Sequence, residues 1–516
     1  MKIWLETHKL HSDQLTSGCD CDGGDGGEGG GGGGYSDYVP DINRLLPDDE
    51  TQHICAQYLM QTSPLYIQEC EQDRWLVCNP IGAGHIVIVD KQARFLLAQF
   101  REAKTVTDLQ LLQPEISYEN IKRATALFYR AGLLQSYDEP LDTQKAQNPE
   151  LLTVWLHVTN ACNLRCSYCY IDKTTENMSA DTAFLAVDAI FRSAVQQGFT
   201  QVKIKYAGGE ASLRMANVIS VHDYAAQVAQ EHGIELRGVL LSNGVMLAQR
   251  TIEQLKARNI RVMISLDGIG ASHDAQRPFK EGQGSFKYVN RTIQRLLANG
   301  LVPSISVTIS QRNLESLPEL LLYILERDLP FTLNYYRDNE CAATESSSLQ
   351  FGDQQMIAAM RSAYKVIEQN LPARSLLGSL IDKARLSSPH QSTCGVGRNY
   401  MVIDQHGGIA KCQADIKQTV TTIAARDPLR VIQLDRTGVQ GLSVEEKEGC
   451  RTCDWRYWCT GGCPLLTYRM TKRYDVKSPN CNIYQSLFPE VLRLEALRLL
   501  KYTAPIVIEE GVGVTV

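Results

Sequence analysis

The hydrophobic pattern is clearest in the middle of the chain. From Leu151 to about Tyr336, short apolar runs suited to strands alternate with longer stretches whose apolar residues recur at helical spacing. Strands are expected over 154–158, 202–206, 238–242, 261–266, 304–309 and 332–335, and helices over 181–197 and 289–299, with Gly198 and Gly300 placed to end them. Strands and helices in alternation predict an α/β unit with a parallel sheet, barrel-like or open. In such folds catalytic loops sit at the carboxyl ends of the strands.

Upstream, a compact pattern runs from Trp75 to Gln135. Strands are expected over 75–78 and 85–89, followed by helices over 91–100, after Thr107, and over 118–131, with Gly132 as the left-handed stop. A hairpin and three short helices predict a winged-helix-like module within residues 50–140. This pattern resembles the small peptide-recognition domain akin to the peptide chaperone of pyrroloquinoline quinone synthesis, and the resemblance implies a leader peptide added as a strand at an exposed sheet edge. Winged helices also bind DNA or serve only as packing. Residues 1–49 read as a disordered tail, because 17–37 are glycine-rich and acidic, with almost nothing to bury. Cys19 and Cys21 fall there and read as incidental thiols on a flexible tether.

Composition narrows the field. A chain of 516 residues, 44% hydrophobic, is long enough for two or three cores. The net charge of −6 gives no support for a nucleic-acid partner. Charged residues interrupt the first ten positions, so no signal peptide is expected, and no run approaches the roughly 20 apolar residues that span a bilayer. A cytoplasmic, reducing compartment follows as the expectation. There, sixteen cysteines point to metal or redox chemistry over disulfides.

Directly after the first core strand stands Cys162-Asn-Leu-Arg-Cys166-Ser-Tyr-Cys169, a C-x3-C-x2-C loop. Three thiolates so spaced suit three irons of a [4Fe-4S] cube and leave the fourth iron open to a small-molecule chelate. A zinc site, or buried cysteines without a metal, are the rival readings. The motif and its place resemble the radical S-adenosylmethionine superfamily, with Tyr168 as the aromatic residue before the third cysteine. Gly208, Gly209 and Glu210 resemble that family's glycine-glycine-glutamate segment. Leu241-Ser-Asn-Gly244, Ser265-Leu-Asp-Gly268, His273-Asp274 and Arg277 look like segments of the branch containing anaerobic sulfatase-maturating enzymes. The resemblance implies a partial (β/α)6 TIM-like barrel over 150–340 that binds a [4Fe-4S] cluster and S-adenosyl-L-methionine. It also implies cofactor contacts from Tyr168, Gly208, Gly209, Glu210, Ser265 and Arg277. For Arg277, a surface ion pair is the plainer alternative.

Seven further cysteines crowd the C-terminal part: Cys394, Cys412, Cys450, Cys453, Cys459, Cys463 and Cys481. Thiols at this density suit two metal sites. Their order resembles the SPASM domain, here spanning 391–490 after a helical bridge over 341–390, with 491–516 as a C-terminal tail. The resemblance implies two auxiliary [4Fe-4S] clusters, three clusters in all, one held by Cys394, Cys412 and Cys463 and the other by Cys450, Cys453, Cys459 and Cys481.

Two departures from the sulfatase maturases stand out. Ser388 occupies the position of an additional cysteine, so the first auxiliary cluster has an open iron or recruits His390, Cys341 or a substrate thiol. Gln413 replaces the aspartate base, and an amide accepts no proton at neutral pH. Asp415 is the nearby alternative base. The expected activity is reductive cleavage of S-adenosylmethionine and hydrogen abstraction from a precursor peptide or protein, with a reductant such as flavodoxin or ferredoxin. Formylglycine formation in a sulfatase and a non-catalytic metal or redox scaffold are the rivals.

Overall fold

The computed structural model describes residues 1–6, 59–82, 85–137 and 150–508. The glycine-rich stretch with Cys19 and Cys21 lies outside the described residues. Strand β1 (Lys2–Trp4) does not fit a disordered tail: it pairs antiparallel with a later strand, Val87–Asp90, and with Ile506–Val507 from the far end of the chain. Met1, Ile3 and Leu5 point into the core of the small module, and Ile3 is fully buried. Three alternating residues among charged neighbours are too short a pattern to register in a sequence scan.

β2 (Met60–Thr62) pairs with a short strand at Leu134–Ser136, while β3 (Tyr66–Glu71), β4 (Arg74–Cys78) and β5 (Val87–Asp90) form an antiparallel meander. The sequence does not predict β3, because Gln68, Glu69 and Glu71 dilute its apolar content; it is one edge of a five-stranded sheet in which Ile506–Val507, β1, β5, β4 and β3 lie in that order. Three helices follow, Lys91–Gln99, Val106–Leu112 and Tyr118–Arg130. Asp90, Thr105 and Ser117 cap them by accepting from backbone N–H groups of the first turn. Leu96, Phe100, Leu109, Ile121 and Leu127 close over Val77 and Val89. β6 (Leu134–Ser136) completes the module.

The central sheet is assembled in chain order. β7 (Leu151–Thr159), β8 (Gln201–Gly208), β9 (Glu235–Ser242), β10 (Arg261–Ser265), β11 (Ser304–Ile309) and β12 (Phe331–Tyr335) lie side by side and parallel. On the other flank of β7, β13 (Tyr400–Ile403) adds in parallel, followed by antiparallel β14 (Gly408–Ala410) and β15 (Thr419–Thr422). The nine strands make an open order with β12 and β15 at its edges. All nine residues of β7 are buried, as a strand with neighbours on both sides and on both faces requires. Because β7 to β12 are parallel, their carboxyl ends, and the loops that follow, gather at one rim.

The C-terminal residues also depart from the expected tail. Helix Cys481–Tyr502 buries Ile483, Leu487, Val491, Leu494 and Leu499 and packs on helix Asp353–Gln369, and Arg498, paired within the helix with Glu495, joins it to Glu6 near the start of the chain. Among the described residues, no helix is long and apolar enough to cross a membrane.

Candidate functional site

The Cys162–Cys169 loop leaves β7 and is stitched to its neighbours by backbone. Gly209 N–H donates to Thr159 O at 2.7 Å and Glu210 N–H to Ala161 O at 2.9 Å. A Cβ at Gly208 would stand 2.3 Å from Thr159 O, and one at Gly209 would stand 2.4 Å from Ala161 O. The chain after β8 can press on the cysteine loop this closely only because both residues are glycine. On the other side, Arg165 N–H donates to Pro278 O and Ser167 N–H to Gln276 O.

Cys162, Cys166 and Cys169 line one cavity of about 280 Å³ at the rim of the sheet. Burial pushes the Cys166 thiol up to about 12 and raises Cys162 as well. Such thiols stay protonated until a cation displaces their protons. Lys173, four residues past the last cysteine, donates to Cys169 Sγ at 2.9 Å.

The residues expected to contact a cofactor share this cavity: Tyr168, Gly208, Gly209, Glu210, Ser265 and Arg277 all line it. Glu210 is a brace between strand ends. Its carboxylate accepts from Ser242 Oγ at 2.8 Å, from Asn243 N–H at 2.6 Å and from Ser212 N–H at 3.1 Å. Asn243 in turn donates to Asn163 in the cysteine loop. Arg277 makes no surface ion pair; it is 8% exposed and bonds to Tyr168 Oη and to fully buried Asp267, the latter at 3.2 Å. Tyr168 also donates to Asp267, at 2.5 Å. Burial works against the guanidinium charge, but the surrounding groups raise it on balance, and the Asp267 carboxylate is the counter-charge that holds Arg277 cationic.

The C-terminal cysteines separate into two places. Cys394, Cys412 and Cys463 line the same cavity as the first loop, whereas Cys450, Cys453, Cys459 and Cys481 line a second, small one with Trp455, Tyr484 and Phe488. Between Cys459 and Cys463 the chain turns through Thr460, Gly461 and Gly462, at φ of 51°, 76° and 67°, and this left-handed run directs the two cysteines to different cavities. Neither of the chain's own candidates for the fourth ligand, His390 and Cys341, lines the main cavity. His390 is half-buried, with its pKa pushed down to about 4 chiefly by burial, and Cys341 is exposed and donates to Asp172 Oδ1 at 3.0 Å. Asp415 does not line it either; it is half-buried, and its carboxyl is raised by burial against the pull of Arg469. Gln413 does line the cavity, its Oε1 accepting from Tyr400 Oη at 2.9 Å.

Among the described residues, no three His, Cys, Asp or Glu side chains converge as ligands of a single ion do. Cube ligands bind separate irons and stand further apart. Buried donors without a partner cluster at these thiols: Arg277 Nε and Ser167 Oγ near Cys166, Arg337 Nε near Cys463, Tyr484 Oη near Cys459 and Asn480 Nδ2 beside Cys481. Cluster sulfurs accept such hydrogen bonds, so the residues present fit iron–sulfur groups. Asn243, within the Leu241–Gly244 segment, also lines the main cavity, as do Lys173, Arg337 and Arg469, which the sequence does not single out. Arg337 lies just beyond β12, where the strand-end rule alone points.

Residues 156–324 match the description of the radical SAM superfamily. The Fe-coproporphyrin III synthase of Methanosarcina barkeri is 26% identical over 242 residues, 45% of this chain and 56% of that protein. The sporulation killing factor maturation protein SkfB of Bacillus subtilis is 26% identical over 239 residues, 45% of this chain and 54% of that protein. The chain thus spans little more than half the length of either. Among solved structures, native anSMEcpe with bound AdoMet and Cp18Cys peptide superposes with a TM-score of 0.53 at 14% identity, covering 67% of this chain and 99% of that one. At that identity the likeness is one of fold.

Proposed function

From the premise that residues 156–324 form a radical SAM domain, we propose that the protein is a peptide-modifying radical enzyme. The observation that carries this reading is the single cavity onto which the Cys162–Cys169 loop, the Gly208–Glu210 segment and the second cysteine group all open. Cys162, Cys166 and Cys169 would hold a [4Fe-4S] cluster whose open iron chelates S-adenosylmethionine, and that pair supplies a 5′-deoxyadenosyl radical when reduced.

The chain's own part is to hold and orient. Gly208 and Gly209 let the cysteine loop close against the end of β8, and Glu210 ties the β8 and β9 ends together beside the cofactor. Tyr168 and Ser265 wall the site, and Arg277, clamped by Asp267, has its Nε left to donate. Cys394, Cys412 and Cys463 on the same cavity, and Cys450, Cys453, Cys459 and Cys481 behind it, would carry auxiliary clusters in a SPASM-type domain.

A peptide substrate is supported by the maturation role named for SkfB and by the peptide bound in anSMEcpe. The winged-helix-like module supports it too. There β1 already covers the outer edge of β5, so an added peptide strand would pair with β3, Tyr66–Glu71. Gln413, an amide on the cavity wall, disfavours formylglycine formation, which needs a base there.

The test is anaerobic reconstitution followed by reduction with S-adenosylmethionine. The expected outcome is release of 5′-deoxyadenosine and about twelve irons per chain, with release abolished when Cys162, Cys166 and Cys169 are all replaced by alanine. Wild-type protein that never releases 5′-deoxyadenosine would end this reading.

A further inference from the structure

Lys447 is 2% exposed, and Nζ donates to Thr460 O at 2.7 Å. An ammonium withdrawn from water costs several kcal/mol unless an opposite charge compensates it. Burial pulls the Lys447 ammonium below its ordinary range, and the groups that act against this are four sulfurs, those of Cys450, Cys394, Cys459 and Cys463. Cys394 and Cys463 line the main cavity and Cys450 and Cys459 the smaller one. The lysine is therefore within electrostatic reach of both groups.

The backbone is arranged around it. A Cβ on Gly461 would lie 3.2 Å from Lys447 Nζ and 3.3 Å from Cys450 Sγ, so the ammonium and that sulfur flank one point that only glycine leaves open. Thr460 O, the acceptor, belongs to the left-handed turn that parts Cys459 from Cys463, and it also accepts from Thr393 Oγ1 beside Cys394. As neutral thiols these cysteines offer Lys447 no counter-charge. As ligands of iron–sulfur cubes they become parts of net-negative groups, and one cation between two such groups stabilises both.

We propose that Lys447 is the shared counter-charge of the two C-terminal metal–thiolate sites and raises the reduction potential of both. This rests on the cluster assignment above. A positive charge beside a cluster favours its reduced, more negative state, so removing that charge makes both clusters harder to reduce.

The experiment compares full-length wild type, K447R, K447Q and K447M, reconstituted with iron and sulfide and titrated potentiometrically with paramagnetic-resonance detection. In K447M and K447Q, the reduced-to-oxidised ratio of both C-terminal clusters at a fixed potential is expected to fall at least about tenfold, equivalent to 59 mV for a one-electron couple. The Cys162–Cys169 cluster is expected to keep its potential, and K447R to stay close to wild type. If K447M fails to load, loss of iron from both C-terminal sites together supports the proposal, and loss from one alone overturns it. Wild-type potentials in K447M also overturn it, since a merely structural lysine would leave them unmoved. A wild-type protein that binds only about four irons would instead remove the cluster assignment itself, a distinct failure.

Discussion

At the residue scale, the site works by removing freedom from a few side chains. Asp267 accepts from Thr308 N–H at 2.7 Å as well as from Arg277 and Tyr168, so the arginine cannot swing away from the cysteine loop. His273 supports the same group: Nδ1 accepts from Asp267 N–H at 3.3 Å, and Nε2 faces Ser285 Oγ at 3.1 Å. Burial, with Arg277 adding to it, pushes its pKa down to about 3. The unfolded chain binds a proton near pH 6.5 that the folded state refuses. The neutral imidazole's contribution is therefore complete above about pH 6.5 and is lost as pH falls from there toward 3. H273N is expected to be less stable than wild type by about 1–3 kcal/mol at pH 7, from the disturbed buried hydrogen bonds. The gap should shrink between pH 6.5 and 4.5 in denaturant titrations at fixed pH. A gap independent of pH would mean that the histidine is not neutral in the fold.

At the element scale, what could be read from sequence was whatever repeats locally. The six parallel strands and helix Ala180–Gln197 with its Gly198 stop declare themselves by periodicity and caps. The short strands escaped because their pairing partners are remote: β1 meets Ile506–Val507 across nearly the whole chain. This closure gives a sharp expectation. I3A removes a fully buried side chain from the small module and should cost about 2–5 kcal/mol. The exposed neighbour change K2A should stay within about 0.5 kcal/mol. Thermal unfolding that cannot tell I3A from K2A would show that this strand contributes nothing to the module.

At the scale of the whole molecule, the main cavity is built from segments separated by as many as 300 positions, from Cys162 to Cys463. The smaller cavity lies apart, behind Tyr484, whose ring stacks on cavity-lining Tyr335 with centroids 6.2 Å apart. Replacing Cys450 and Cys453 together is therefore expected to lower bound iron from about twelve to about eight per chain while 5′-deoxyadenosine release in the absence of peptide persists. Iron analysis beside product chromatography checks both halves. Loss of cofactor cleavage along with that iron would mean that the two cavities do not act separately.

The cysteine loop, the strand on which it sits and the glycines that let the next strand end approach it are all legible in the linear chain. Those features are encoded within a few residues of one another, in thiol spacing and in hydrophobic period. That Arg277 is spent on Asp267, that Asp415 stands off the cavity wall, and that Lys447 bears on both sulfur groups became visible in the three-dimensional arrangement alone. Each depends on residues brought together across long stretches of chain, where burial and charge are set by neighbours that no local pattern names.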